Sequence, residues 1–273
     1  MSDPLLPRID GYHLLHRLGR RADSVVYSAR ELLTGNTVAV KIFPPLPWAT
    51  TTIQSPVADL WEVAALWRHP HVVLIHRLDR RHNPSFVVME MATAGDLGQR
   101  LFPNRSLIIA QAVSLARQVL LALTYLHTQG YLHLDIKPAN LLQFPRDHLK
   151  IADFGLIRPI HGPPTRASGS PGFMSPEQIM GLALDQRSDL FSSGALLYRL
   201  VTGQLAATGS DIHQRLANTL LVTPPWPSHI NKAVSPSLSQ VIMRALEKRP
   251  SRRFSSAHDF LQALDTVSLD HDP

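Results

Sequence analysis

The chain has 273 residues, of which 44% are hydrophobic and 18% are charged, so it can bury a sizeable core and is not disordered throughout. It has no cysteine, which excludes disulfide bonds, thiolate metal sites and a cysteine nucleophile and agrees with a cytoplasmic location. The formal net charge is +6. Because the basic residues are scattered, this charge favours a solvated basic surface, and no nucleic-acid partner is predicted.

The N-terminal part of the chain predicts strands. Short segments rich in β-branched and apolar residues lie between turn residues at 12–18, 25–29, 37–43, 72–78 and 85–91. Residues 43–56 contain four prolines and predict an irregular loop. The apolar spacing over 57–67 then predicts a helix that ends before Pro70.

After Gly95 the pattern changes to the helical period. Helices are predicted at 107–127, 188–202, 236–247 and 256–267. Strands first and helices later predict an α+β protein with two segregated parts.

No membrane segment is predicted. The longest apolar stretch, 106–126, contains Gln111, Arg117 and Gln118, which a bilayer-spanning helix seldom tolerates near its middle. The N-terminus has acidic and proline residues where a signal peptide would need a charged and then an apolar region. We therefore expect a soluble chain whose long helix is buried.

The strongest chemical signal is the motif HLDIKPAN at 133–140, followed by Asp153-Phe154-Gly155. Phosphoryl transfer needs a carboxylate to orient the attacking hydroxyl, a cation near the moving group, and oxygen ligands for magnesium. Asp135, Lys137, Asn140 and Asp153 supply that set. Because the first motif fixes five positions, a chance match is very improbable.

On these motifs the sequence, from Tyr12 to Leu264, resembles the protein kinase superfamily, most closely the eukaryotic-like (bacterial Hanks-type) serine/threonine kinases. The resemblance implies a single domain over 1–273 with a bilobal α+β fold. A small β-rich N-lobe with one helix would occupy 12–91, and a larger α-helical C-lobe would occupy 92–267.

The resemblance also implies an activity. Asp135 would be the catalytic base, with Lys137 beside it, and Asn140 and Asp153 would hold magnesium. The lysine two residues after the catalytic aspartate is typical of the serine/threonine class. The implied reaction moves the γ-phosphoryl group of ATP to Ser or Thr hydroxyls of protein substrates, and also of the chain itself. Its cofactors would be ATP and Mg2+, with Mn2+ as a substitute.

The nucleotide site is implied in the same way. Lys41, in the motif VAVK at 38–41, would hold the α- and β-phosphates. Leu18 and Gly19 begin the phosphate loop. The remaining contacts would be with adenine: Val26 and Ala39 on one face, Leu142 on the other, the backbone of Glu90 and Met91 at its edge, and Met89 as gatekeeper.

Three further motifs resemble parts of the same family. Residues 169–177 resemble the loop that positions the substrate peptide, with Ser170 where these kinases normally have threonine. Asp189 resembles the buried aspartate that anchors the catalytic loop. Arg253 lies in the densest basic cluster and resembles the structural partner of Glu177.

The phosphate loop departs from the family pattern. Of the three glycines in GxGxxGxV, only Gly19 is kept in residues 19–26. Glycine there allows unusual backbone angles and close approach to phosphates. Arg21 and Ser24 make the loop stiffer and bulkier, although a guanidinium can also contact phosphate directly. We expect weaker ATP binding or slower turnover without loss of activity.

The carboxylate that pairs with Lys41 is also atypical. Counting back from His69 by the usual spacing arrives at Leu60, which cannot pair. We favour Glu62, with the following loop two residues shorter and Leu66 as the packing residue one turn later. Asp59 is the second candidate, and Glu62 as an exposed helix acid is a third interpretation.

Leu134 stands where many kinases have the arginine that binds a phosphorylated activation loop. Leucine cannot bind phosphate, so our hypothesis is that activation does not depend on a phosphate bound there, even if Thr165, Ser168 or Ser170 is phosphorylated. The alternative to an active kinase is a pseudokinase, a regulatory scaffold with or without bound ATP. The degenerate loop favours this alternative, and the four transfer residues argue against it.

Overall fold

The computed structural model describes residues 6–21, 24–43, 56–80, 84–163 and 168–267. The chain forms two compact units, residues 1–93 and residues 94–273. The first holds a sheet and one helix, and the second is mainly helical. This arrangement confirms the α+β fold. Most of the predicted loop at 43–56 lies outside the described residues.

The N-terminal unit contains a five-stranded antiparallel sheet in the order β1-β2-β3-β5-β4. Its elements are β1 (Tyr12–Arg20), β2 (Val25–Glu31), β3 (Thr37–Phe43), helix α1 (Pro56–Ala64), β4 (Ile75–Asp79) and β5 (Ser85–Glu90). Strand β3 lies between β2 and β5, which explains its almost continuous buried run.

The two faces of β3 have different surroundings, because side chains alternate along a strand. Val38, Val40 and Ile42 belong to the hydrophobic core on one face. Ala39 and Lys41 therefore lie on the opposite face. The sheet thus fixes which side chains can share a site with Lys41.

The C-terminal unit contains the other helices and two short strand pairs. Its helices are α2 (Ile109–Thr128), α3 (Pro176–Met180), α4 (Gln186–Thr202), α5 (Ile212–Leu221), α6 (Pro227–Ile230), α7 (Pro236–Ala245) and α8 (Ala257–Asp265). Its strands are β6 (Tyr131–Leu132), β7 (Leu141–Phe144), β8 (His148–Ile151) and β9 (Arg158–Pro159), which pair as β6-β9 and β7-β8.

Helix α2 is long and apolar enough to cross a membrane by length and composition. It packs against α4, α8 and β8, and leucines such as Leu115, Leu120 and Leu123 are almost fully buried. The helix has the surroundings of a core helix, as the polar residues in its sequence predict.

Side-chain caps fix where several helices begin. Asp185 accepts a hydrogen bond from the Arg187 amide at 2.8 Å, so α4 begins two residues before the predicted Ser188. Asp211 caps α5 in the same way through the Gln214 amide. The sequence interpretation missed α5, because its apolar residues do not form a buried stripe: Thr219 is its one buried residue, and Ile212 and Leu221 are exposed.

Candidate active site

The centre of the site is the carboxylate of Asp135, which is 6% exposed. One oxygen, Oδ2, lies 2.7 Å from Lys137 Nζ and accepts a hydrogen bond from Asn140 Nδ2 at 2.7 Å. The other, Oδ1, accepts a hydrogen bond from Ser170 Oγ at 2.8 Å. Lys137 Nζ also donates to Ser170 Oγ at 2.5 Å. The structure therefore brings two residues of one loop and one residue of a distant segment around a single carboxylate.

Asp189 holds the backbone of this loop. Its carboxylate is fully buried and accepts hydrogen bonds from the amides of His133 (2.9 Å) and Leu134 (2.7 Å) and contacts His127 Nε2 at 2.9 Å. Burial raises the pKa of Asp189, but the hydrogen bonds and charges of His127 and His133 outweigh it, so the pKa lies below its ordinary value. The predicted anchoring role of Asp189 is confirmed.

Leu134 has a left-handed backbone, with φ of 65°. This region is costly for a leucine and occurs where the surroundings impose it. Besides the bond from its amide to Asp189, its carbonyl accepts a hydrogen bond from Gln178 Nε2 at 2.9 Å. The side chain is 2% exposed, so Leu134 packs in the interior and brings no charge to the surface.

The two predicted metal ligands are joined through the backbone. The Ala152 amide donates to the Asn140 carbonyl at 2.8 Å, and Asp153 follows directly with φ of 66°. His133 Nε2 lies 3.2 Å from the Ala152 carbonyl, and its ring meets Phe154 edge-on at 6.0 Å. These contacts hold Asp153 next to the loop that carries Asn140.

The donor set fits magnesium bound together with a nucleotide. In the described parts of the chain, no group of three or more His, Cys, Asp or Glu side chains is arranged so that it could hold a metal ion by itself. Magnesium usually binds one or two carboxylates plus substrate phosphates and water. One carboxylate, Asp153, and one amide oxygen, on Asn140, match that mode and not an all-protein cage.

Four predicted nucleotide contacts lie on one face of the N-terminal sheet. Lys41 pairs with Val26 across β2 and β3, and Ala39 pairs with Met89 across β3 and β5. Directly opposed residues point to the same face. Gly19, opposite Val26 in β1, has a negative φ and room for a Cβ, so the chain's own packing does not require glycine there. Its predicted role beside a phosphate, which uses the close approach that glycine allows, stays a prediction.

The other predicted contacts are placed less regularly. Leu18 is exposed in β1, and Leu142 is half-buried in β7, where it forms a bridge with Asp96. Met91 follows β5 and is half-buried. The Glu90 amide donates to the Leu74 carbonyl at 3.0 Å. The amide of Glu90 is therefore already bonded within the N-terminal unit, and the predicted contact of Glu90 with an adenine edge stays a prediction.

Lys41 is 5% exposed and lies against two aromatic rings. Its Nζ is 5.0 Å from the ring centroid of Trp61 and 5.4 Å from that of Phe43. The two rings meet edge-on at 5.9 Å, and Trp61, in α1, is 1% exposed. Both distances are in the range of cation–π attraction. Sequence reasoning missed Trp61, although it directly follows Leu60, the position that the usual spacing indicates.

Glu62 has a different partner from the predicted Lys41. Its Oε1 lies 2.6 Å from Arg80 Nη1, and its side chain is 56% exposed. Helix α1 ends at Ala64, and Leu66, which we expected to pack, is 77% exposed. The side chain of Asp59, the second candidate, lies outside the described residues. The helix thus turns Trp61, and not Glu62, toward Lys41.

The predicted pair of Glu177 and Arg253 is confirmed. Two hydrogen bonds of 2.7 and 2.9 Å join the guanidinium to the two carboxylate oxygens, and Ser188 Oγ donates to Oε1 at 2.7 Å. Burial raises the pKa of Glu177, but the ion pair with Arg253 and the hydrogen bond from Ser188 lower the pKa by a larger amount. The pKa therefore lies below its ordinary value. Part of the basic cluster near the C-terminus is therefore structural.

Residues 12–264 match the model of the protein kinase domain. The chain is 32% identical to serine/threonine-protein kinase Pkn1 of Myxococcus xanthus, over 99% of this chain and 40% of Pkn1. It is 30% identical to serine/threonine-protein kinase ULK3 of Rattus norvegicus, over 98% of this chain and 57% of ULK3. It is also 30% identical to serine/threonine-protein kinase PknD of Mycobacterium tuberculosis, over 91% of this chain and 38% of PknD.

The chain therefore spans about 38–57% of the length of these relatives. The matched region includes both units and every residue of the Asp135 centre. The chain belongs to the protein kinase family.

Proposed function

We propose that this chain transfers the γ-phosphoryl group of ATP to Ser or Thr hydroxyls of proteins. The observation that carries this proposal is the arrangement of Lys137, Asn140 and Ser170 around the carboxylate of Asp135. The names of Pkn1, ULK3 and PknD, all serine/threonine-protein kinases, support the same activity.

Asp135 is suited to orient the attacking hydroxyl and to accept its proton. Its Oδ1 accepts a hydrogen bond from the hydroxyl of Ser170, so this oxygen is accessible to an O–H donor from outside its own loop. Lys137 places a positive charge 2.7 Å from the other oxygen. The ammonium can stabilise negative charge as the phosphoryl group moves, because electrostatic stabilisation contributes most of the catalysis in phosphoryl transfer.

Asn140 and Asp153 would hold Mg2+, or Mn2+ in its place, and Lys41 would hold the α- and β-phosphates. When bound, the metal ion neutralises charge on the phosphate oxygens. The adenine ring would contact Val26, Ala39, Met89 and Leu142. The chain's own part is to fix the direction of these side chains, through the register of β2, β3 and β5 and through the bond between Ala152 and Asn140.

A pseudokinase is the second interpretation, and the site does not favour it, since all four transfer residues are present and Asp135 is bonded to Lys137 and Asn140. The phosphate loop keeps a single glycine, and this favours slow turnover. The Arg21 amide also donates a hydrogen bond to the Ser24 carbonyl at 2.8 Å, which joins the two sides of the loop and favours slow turnover as well. We also propose a cytoplasmic location, and autophosphorylation as a side reaction.

The decisive experiment is a transfer assay. The purified chain would be incubated with Mg-ATP and two generic proteins, one acidic and one basic, beside the Asp135→Asn variant. We expect phosphate on Ser or Thr of at least one protein with the natural chain and none with the variant. Equal transfer by both chains, or none by either, would refute the proposed activity.

A further inference from the structure

The C-terminal unit contains a cavity of about 620 Å³ that opens to solvent. Ligand sites usually have volumes of roughly 300–1,000 Å³. The walls come from the turn Leu97–Arg100 and the segment after it, the end of α4, and the residues that lead into α5. Asp135 and the three residues around its carboxylate (Lys137, Asn140 and Ser170) do not line the cavity. The cavity is therefore separate from the site around Asp135.

Two guanidinium groups enter this cavity. Arg199, near the end of α4, uses Nη2 to donate to the Phe102 carbonyl at 3.1 Å. Its Nη1 is buried and has no hydrogen-bond partner among the described residues. The same holds for Nε of Arg215, in α5. Burial lowers the pKa of Arg199, yet an arginine stays charged in proteins.

The lining that the structure describes contains no acidic side chain to balance these charges, and its other polar members are Asn104, Gln204 and Thr208. The nearest carboxylates along the chain have other partners. Asp96 accepts from Gln99 N and Nε2 at 3.2 and 2.8 Å, and Asp211 accepts from the Gln214 amide at 2.8 Å.

Buried donors without partners are costly, and those on a charged group more so. Arginine binds carboxylate and phosphate groups with charge-assisted, often bidentate hydrogen bonds. The chemistry of the cavity therefore points to an anionic group as its ligand.

The walls of the cavity connect it with the reaction centre. Pro138 lines it and follows Lys137 directly, and Phe173 lines it three residues after Ser170. Leu205, another lining residue, would lie 3.3 Å from a Cβ at Gly172. The segments that carry Lys137 and Ser170 therefore continue into the wall of the cavity, so a side chain a few residues from a hydroxyl bound at Asp135 can reach the cavity.

We propose that this cavity binds an acidic side chain of the protein substrate, close in sequence to the phosphorylated Ser or Thr, so that the chain selects acidic substrates. The inference rests on the proposed kinase activity and narrows its substrate class. A carboxylate and a phosphorylated side chain share the chemistry that Arg199 and Arg215 recognise.

The first test measures kcat/KM for matched serine peptides that carry Glu, phosphoserine, Ala or Lys at each position within five residues of the acceptor. We expect one position where Glu or phosphoserine is better than Ala by roughly ten- to hundredfold, the range for charge-assisted hydrogen bonds to one group. In the variants Arg199→Gln and Arg215→Gln, the ratio of kcat/KM for the acidic peptide to kcat/KM for the Ala peptide should fall toward one. Arg252→Gln, an exposed arginine elsewhere, removes the same charge and should keep the ratio.

A ratio near one at every position in the natural chain would overturn the proposal. An equal fall of kcat/KM for acidic and Ala peptides in both arginine variants would also overturn it. Arg199 and Arg215 are both only half-buried, so both glutamine variants should fold, and thermal unfolding of each variant checks this.

The second test needs no catalysis, so its failure can be told apart from failure of the proposed activity. Fluorescein-labelled Glu and Ala peptides are titrated with Asp135→Asn by anisotropy, and again with Asp135→Asn/Arg215→Gln. We expect the Glu peptide to bind more tightly than the Ala peptide to Asp135→Asn, and both peptides to bind equally to the double variant that lacks Arg215. Equal binding of both peptides, together with Arg215-dependent binding of inorganic phosphate, would show a free-anion site and overturn the assignment to the substrate.

Discussion

The ammonium of Lys41 lies 5.0 Å from the ring centroid of Trp61, which α1 holds almost fully buried. An aromatic face attracts a cation by its quadrupole, by about 0.5–2 kcal/mol depending on desolvation. Unlike a carboxylate, the ring does not neutralise the charge. The ring thus helps to position Lys41 without bringing a charge of its own.

Replacing Trp61 should therefore weaken nucleotide binding. In Trp61→Leu we expect KM for ATP to rise by roughly 2–30-fold, the equivalent of the cation–π energy, with a smaller change in Trp61→Phe, which keeps a ring. Steady-state kinetics with ATP varied would measure this. Because the site is buried, Leu also lowers the free energy of unfolding, and the Phe variant separates the two effects. Identical KM values in both variants would contradict positioning by the ring.

Glu62 should contribute little. It forms an exposed pair with Arg80, and such pairs are worth about 0–1 kcal/mol. We expect Glu62→Gln to change kcat/KM less than about threefold, whereas Lys41→Met removes the phosphate contact and most of the activity. A loss in Glu62→Gln as large as that in Lys41→Met would instead establish the Lys41 pairing that the sequence favoured.

Ser170 should act through its hydroxyl, which joins Asp135 and Lys137. Ser170→Ala leaves both charged groups without this neutral bridge, so we expect kcat to fall roughly 10–100-fold, as for the loss of a hydrogen bond to a charged group. Ser170→Thr keeps the hydroxyl and should retain most of the activity. A normal kcat in the Ala variant would mean that the bridge is only structural.

Glu177 should make stability depend on pH. Its pKa is below the ordinary value in the folded chain, so its contribution is fully present above the unfolded-state pKa, near 4.3, and is lost as pH falls through the lower folded pKa. Urea unfolding from pH 7 to pH 3 should show this loss, and Glu177→Gln should remove that part of the pH dependence. At neutral pH, Glu177→Ala leaves Arg253 buried without its partner and should cost about 3–5 kcal/mol.

Activity should not require a phosphate near Leu134. That side chain is buried, and its backbone is bonded to Asp189 and Gln178. We expect Thr165→Ala/Ser168→Ala to keep most of the transfer activity. If this double variant were inactive and acidic residues at the same positions restored it, the hypothesis would be wrong.

The sequence predicted the long helices and strands and the catalytic motif around Asp135, because both depend on patterns that are local in the chain. The buried run of β3 and the motif around Asp135 are contiguous in the chain. The orientation of α1 could not be predicted in this way. Spacing alone favoured Glu62, whereas burial of Trp61 decides which face of the helix turns toward β3. The orientation of the Arg199 guanidinium, which leaves Nη1 without a partner among the described residues, likewise depends on how α4 ends beside Phe102.

The bond between Glu177 and Arg253 joins residues 76 positions apart. Gln178, the neighbour of Glu177, holds the Leu134 carbonyl just before Asp135. During synthesis, therefore, Arg253 must leave the ribosome before it can pair with Glu177. A nascent chain that stops short of this arginine would carry every transfer residue and still lack this buried ion pair.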